Sequence, residues 1–168
     1  YDALNAEASL TLHEAKSLNE KAVHRCVGLS IETRPDWCGQ EEINRMLDFG
    51  TTKVELGVQT LDDEIYRLTK RGHGVKDVAR ATALLKTYGF KVHYHWMPGL
   101  PGSTPVNDLR KAKLLFSDNR FKPDGLKLYP TMVVDGTELE RWYHDGRYQP
   151  YDDDTMISLM LDIKYMVP

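Results

Sequence analysis

Lys53-Val54-Glu55-Leu56-Gly57-Val58-Gln59 decides the fold. Val54, Leu56 and Val58 alternate with Glu55, Gly57 and Gln59, the period of a β-strand with one apolar and one polar face. Three other segments repeat it. In CVGLSIET, residues 26–33, Val27, Leu29 and Ile31 oppose Gly28, Ser30 and Glu32, and Pro35 stops the run. In FKVHYHW, residues 90–96, Val92, Tyr94 and Trp96 oppose His93, His95 and then Met97. In GLKLY, residues 125–129, Leu126 and Leu128 oppose Lys127 and Tyr129.

Helical patterns separate these strands. Residues 2–24 place Leu10, Leu18 and Ala22 at helical spacing among Glu and Lys. QEEINRMLDFG (40–50) ends on Gly50, and LDDEIYRLTKRG (61–72) runs from acids to bases, as the helix dipole favours. A further helix spans 76–88, another 105–116 after the turn-rich MPGLPGST (97–104), and two more fall near 137–145 and 152–166. Strand and helix alternating about four times need crossover connections, hence a parallel sheet. The expected fold is α/β: a partial parallel (β/α) barrel with C-terminal helices, one incomplete domain over 1–168. An antiparallel sheet with one wet face also alternates. The intervening helices argue against it.

With the apolar faces under the helix layer, the polar faces turn inward. Glu32, Gln59, His95 and Tyr129 then lie near strand C-terminal ends, where barrel enzymes build their sites, and should converge on one cavity. Burying such groups costs several kcal/mol unless they pair or are wetted, which points to a polar ligand. Gly28, Ser30 and Gly57 leave room for it. Lys127 and Tyr129 project together from the fourth strand, an ammonium and a phenol suited to holding developing negative charge. A lysine there can equally pair with Glu55 or Glu32 and serve the fold.

Bulk composition narrows the field. The 168 residues are 41% apolar and 28% charged with net charge −3, so a core is expected and no global attraction to nucleic acid. No window approaches the ~20 apolar residues of a membrane span, and the first residues do not read as a secretory signal; the expected location is the cytoplasm. Cys26 and Cys38 fit neither a disulfide framework nor a tight metal-ligand spacing, and read as free thiols, one of them buried in a strand.

Other readings stay open. His93 and His95 share one strand face and, with His73 or Glu32, suit a metal-dependent barrel hydrolase. Lys70-Arg71-Gly72-His73 lies in the densest basic run, a candidate for phosphate contact, although a helix C-terminus also attracts such charge.

Several blocks in order are specific. Gly28-Leu29-Ser30-Ile31-Glu32-Thr33-Arg34-Pro35-Asp36, Val54-Glu55-Leu56-Gly57-Val58-Gln59, Lys70-Arg71-Gly72-His73, His93 through Ser103, Lys127-Leu128-Tyr129-Pro130-Thr131 and Gly136-Thr137-Glu138-Leu139 resemble the radical S-adenosylmethionine (SAM) core of the Elongator catalytic subunit family. The resemblance runs from about residue 15 to the end. It implies a radical SAM barrel that builds a carboxymethyl group on the wobble uridine of tRNA, with acetyl-CoA as co-substrate. By that likeness Glu32 would bind the SAM ribose, Gln59 and Arg71 its polar groups, and His95 and Met97 its methionine and adenine side. Lys127 and Tyr129 would face the reacting groups. Arg34, Lys70, Arg71 and His73 would contact tRNA, and a non-catalytic tRNA-binding scaffold that kept the fold is a third possibility. No protein metal site is expected beyond a 4Fe–4S cluster, and the family's cluster cysteines are not among these residues. The chain alone is therefore expected to be inactive, and an acetyltransferase domain to lie outside it. Other Elongator subunits or a second copy are further expected partners.

Overall fold

The computed structural model describes residues 1–5 and 8–167. Four strands, β1 (Ser30–Thr33), β2 (Lys53–Gln59), β3 (Lys91–Trp96) and β4 (Gly125–Leu128), form one sheet in the order β1-β2-β3-β4. Every pairing is parallel, which removes the antiparallel alternative. The helices are α1 (Leu12–Asn19), α2 (Gln40–Phe49), α3 (Asp63–Leu68), α4 (Val75–Thr87), α5 (Pro105–Ser117), α6 (Glu138–His144) and α7 (Asp153–Tyr165). No helix among the described residues is long and apolar enough to cross a membrane.

The apolar strand faces pack under helices. Val54, Leu56, Val92, Tyr94 and Trp96 share a core with Ile43 and Met46 of α2, Val78, Ala81 and Leu85 of α4, and Ala112 and Leu115 of α5. Removing that surface from water is the main stabilising term, at roughly 1.5–3 kcal/mol per fully buried large side chain. Tyr94 resolves its buried phenol by bonding to the Thr82 hydroxyl of α4.

Local chemistry moves several boundaries. The helical pattern over 2–24 yields only a short 3-10 turn at Asp2–Leu4 and α1; its residues Ala6 and Glu7 lie outside the described ones. The Thr11 hydroxyl accepts from the Glu14 backbone and the Glu14 carboxylate from Leu10 N–H, starting a new helix at Leu12. At the far end the Asn19 amide bonds both the N–H and the carbonyl of Cys26, turning the chain back. The first strand is also shorter than the pattern over 26–33 suggests: Val27 is exposed, and only Ser30–Thr33 are strand. Nor does a strand bury the hidden thiol. It is Cys38, after the 3-10 turn at Pro35–Trp37. Helix α3 ends early because Lys70 (φ 54°) and Gly72 (φ 79°) turn left-handed.

Candidate active site

Parallel register sets Glu32 beside Glu55, and His95 beside Lys127. Glu55 becomes the hub. It is 6% exposed, and its Oε2 accepts from His95 Nε2 at 2.8 Å and from the Lys127 ammonium. Its Oε1 accepts from Lys53 Nζ at 2.9 Å and from the Ser30 hydroxyl at 3.2 Å. Hydrogen bonds from Lys127, His95 and Lys53 hold this carboxyl well below the usual carboxylate range, outweighing the cost of burial. The same bond pushes the Lys127 ammonium up. His95 Nδ1 lies 3.3 Å from Glu32, whose side chain is 64% exposed, and the Tyr129 ring meets the imidazole edge-on at 5.3 Å.

Beyond this group β2 ends in a kink. Its pairing with β3 shifts between Leu56 and Gln59, and Gln59 takes φ 69°. Gly57 has no side chain, and Arg71 and Gln59 close over it. A Cβ there would lie 3.2 Å from Arg71 Nη2 and 3.4 Å from Gln59 Nε2. Arg71 donates through Nη2 to the Gly57 carbonyl at 3.0 Å. Its Nε, and Oε1 of Gln59, are buried without a partner. Burial holds the Arg71 guanidinium below its ordinary value.

Unspent hydrogen-bonding capacity at Arg71 and Gln59 suits a polar ligand, since such groups are costly to bury unpaired. The donor set fits SAM. The free Nε–H of Arg71 can take its carboxylate, Oε1 of Gln59 can accept from its ammonium, and the open Glu32 carboxylate can accept from its ribose hydroxyls. A 4Fe–4S cluster does not fit this chain's own thiols, because three cysteines are needed and the sequence has two. Cys38 is moreover fully buried, its thiol pushed up to about 12 by that burial.

The expected convergence is partial. Glu32, His95 and Tyr129 come together, Lys127 joins them through Glu55, and Gln59 stands with Arg71 over Gly57, its Oε1 without a partner. The strand ends at Trp96, the Met97 N–H still donates to the Gln59 carbonyl at 2.9 Å, and Met97 lines a cleft of about 230 Å³ with Lys70, Leu100, Thr131 and Trp142.

The basic run is also not a free cationic loop. The His73 side chain is 0% exposed and packs on the Tyr66 ring at 4.6 Å, so it is not a surface contact. Arg71 points inward, Lys70 pairs with Glu138 at 2.9 Å, and Arg34 is held by Asp36. The metal-site expectation built on His93 changes too. Donor atoms within 4.8 Å of one another come from Glu32, Glu55 and His95, without His93 or His73. Lys127 and Lys53 already neutralise Glu55, so a cation would have to displace ammonium groups.

Sequence reasoning gave Ser30 only as a small residue leaving room and Glu55 only as a structural partner for Lys127, a pairing the structure contains, and it left Lys53 out. The period-2 pattern does put Glu55 on the polar face. What it lacks is the meeting of Ser30, His95 and Lys127 on that one carboxylate, from 25, 40 and 72 residues away.

Comparison with known proteins bears on this geometry. The Radical SAM superfamily model matches residues 3–112, and the Radical_SAM C-terminal domain model residues 123–168. A tRNA uridine(34) acetyltransferase of Dehalococcoides mccartyi is 66% identical over all of this chain and 37% of its own length. Elongator complex protein 3 of Bos taurus is 40% identical over all of this chain and 31% of its own. The solved structure of an N-terminally deleted Elp3 from the archaeon Methanocaldococcus infernus superposes with a TM-score of 0.96 at 48% identity, covering 99% of this chain and 39% of that one. The chain thus spans about a third of the length of the curated relatives it matches. Family models covering both parts of the chain, on a parallel sheet with a polar carboxyl-end face, place it plainly: the chain belongs to the radical SAM superfamily.

Proposed function

We propose that this chain is the SAM-facing core of a cytoplasmic tRNA wobble-uridine modifying enzyme, which uses acetyl-CoA to build a 5-carboxymethyl group. The observation that carries the reading is the identity of 66% along all 168 residues to a relative named for acetyl transfer to tRNA uridine(34). In this reading the cluster cysteines and an acetyltransferase domain belong to other parts of a longer protein.

SAM, bound with a cluster, supplies the radical chemistry. The chain's own residues do the rest. Over Gly57, Arg71 anchors the SAM carboxylate through its unpaired Nε–H, and Gln59 accepts from the SAM ammonium through its unpaired Oε1. Glu32 accepts from the ribose hydroxyls beside His95. Lys127, 42% exposed, offers its ammonium to an acetyl carbonyl or an enolate-like charge, and Tyr129 adds a phenol donor nearby. Charge placed ahead of the reaction costs no reorganisation when it is needed. For tRNA, Arg34 and Lys70 are the surface cations, exchanging Asp36 and Glu138 for phosphates.

The test uses the full-length protein, reconstituted anaerobically and given SAM, reductant, acetyl-CoA and tRNA. Mass spectrometry of the digested tRNA should show 5-carboxymethyluridine at the wobble position. SAM turnover without that nucleoside would reject the assigned substrate. Stoichiometric zinc with hydrolytic activity would favour the metal-hydrolase alternative.

A further inference from the structure

We propose that Glu55 is a positioning residue: one clamped carboxylate that fixes both the ring of His95 and the ammonium of Lys127 where the chemistry is carried out. The inference rests on the reading of Lys127 as the charge-stabilising group.

The division of labour between the two carboxylate oxygens supports it. Oε1 takes Ser30 and Lys53, which face each other across β1 and β2 two residues before Glu32 and Glu55. Those two donors fix the plane of the carboxylate. Oε2 is thereby offered to His95 and Lys127, paired across β3 and β4. A carboxylate at Oε2 draws the imidazole proton to Nε2. Nδ1 is thereby turned toward the Glu32 carboxylate, 3.3 Å away. Lys127 carries four flexible carbons, and a fixed anion removes most of that freedom before any substrate arrives. A carboxylate serving the fold alone would need only core partners. This one spends an oxygen on two groups at the open face.

Glu55→Gln in the full-length enzyme is the main test. The amide keeps the size but turns an NH2 toward one of the cations. The expected loss is about 10²-fold in the rate of tRNA modification, with SAM affinity changed less than about threefold, because Arg71 and Gln59 lie beyond Gly57. Glu55 is the main support of the Lys127 ammonium, with Tyr129 and Glu32 also facing it and His95 and Lys53 sharing the carboxylate. Without the Glu55 charge the ammonium loses its proton at lower pH, so the alkaline limb of the rate profile moves down. Glu55→Asp should recover part of the rate. Should the Gln variant not fold, ¹⁵N NMR of histidine-labelled wild-type protein still decides: His95 must carry its proton on Nε2, and a proton on Nδ1 alone overturns the proposal. If Lys127→Met is inactive while Glu55→Gln keeps wild-type rate and profile, this inference alone falls. If Lys127→Met modifies tRNA normally, the catalytic reading of Lys127 falls, and the proposal with it.

Discussion

The two faces of one sheet obey opposite rules. Beneath the helices Val54, Leu56, Val92, Tyr94 and Trp96 are held by volume and by exclusion from water. On the other face Glu55, His95, Lys127 and Glu32 are held by charge and direction. Residues one position apart on the same strand therefore differ in what they tolerate. The apolar face should accept a change of chemistry only if volume is kept, and the polar face a change of volume only if charge is kept.

The largest expected effect is on the apolar face. Trp96→Ala, at a fully buried ring, should lower unfolding free energy by about 3–5 kcal/mol in urea titration. A loss under 1 kcal/mol would mean the helix layer does not pack as described.

Next comes the polar group outside the two faces that most resembles the core. Asp108 is buried on α5 and accepts from Gly99 N–H at 2.8 Å, the Ser103 hydroxyl at 2.5 Å and the Tyr151 hydroxyl at 2.9 Å. Asp108→Ala orphans these donors and should cost about 1–3 kcal/mol by the same titration. It should also loosen the 97–104 turn, read as faster amide exchange at Gly99.

Glu55→Gln should sit below both in stability while far exceeding them in lost activity. Its pH dependence has a definite sign. The folded-state value of Glu55 is depressed, so its contribution is complete above the ordinary carboxylate value of about 4.5. The contribution is lost as pH falls from there toward the depressed folded value. The stability gap between wild type and Glu55→Gln should thus stay constant from pH 7 to about 5 and close in more acidic solution. A gap that widens on acidification would contradict the hub.

The smallest effect belongs to the surface pair Lys70–Glu138, both side chains more than half exposed. Lys70→Ala should shift stability by no more than about 0.5 kcal/mol, while weakening tRNA binding in low salt.

The sheet was readable in the chain because alternation is local: Lys53–Gln59 announces its two faces without reference to anything distant. The family blocks were readable for the same reason. The cleft at Met97 was not, because its other walls, Lys70, Thr131 and Trp142, come from distant parts of the chain. His73 misleads in another way. Its basic neighbours suggest a surface, yet the left-handed residues Lys70 and Gly72 fold it under Tyr66. Glu55 is the clearest case, its weight arising only once the register of four strands brings Ser30, His95 and Lys127 together.

The most direct measurement is SAM binding to full-length Gly57→Val, by calorimetry after anaerobic reconstitution. The new side chain would press on Arg71 Nη2 and Gln59 Nε2 and push them from their places over Gly57. With the folded state confirmed by circular dichroism, affinity for SAM should fall at least about tenfold, the worth of one charge-assisted bond. A folded variant that binds SAM as tightly as wild type would show that the ligand does not lie over Gly57, and would contradict the site.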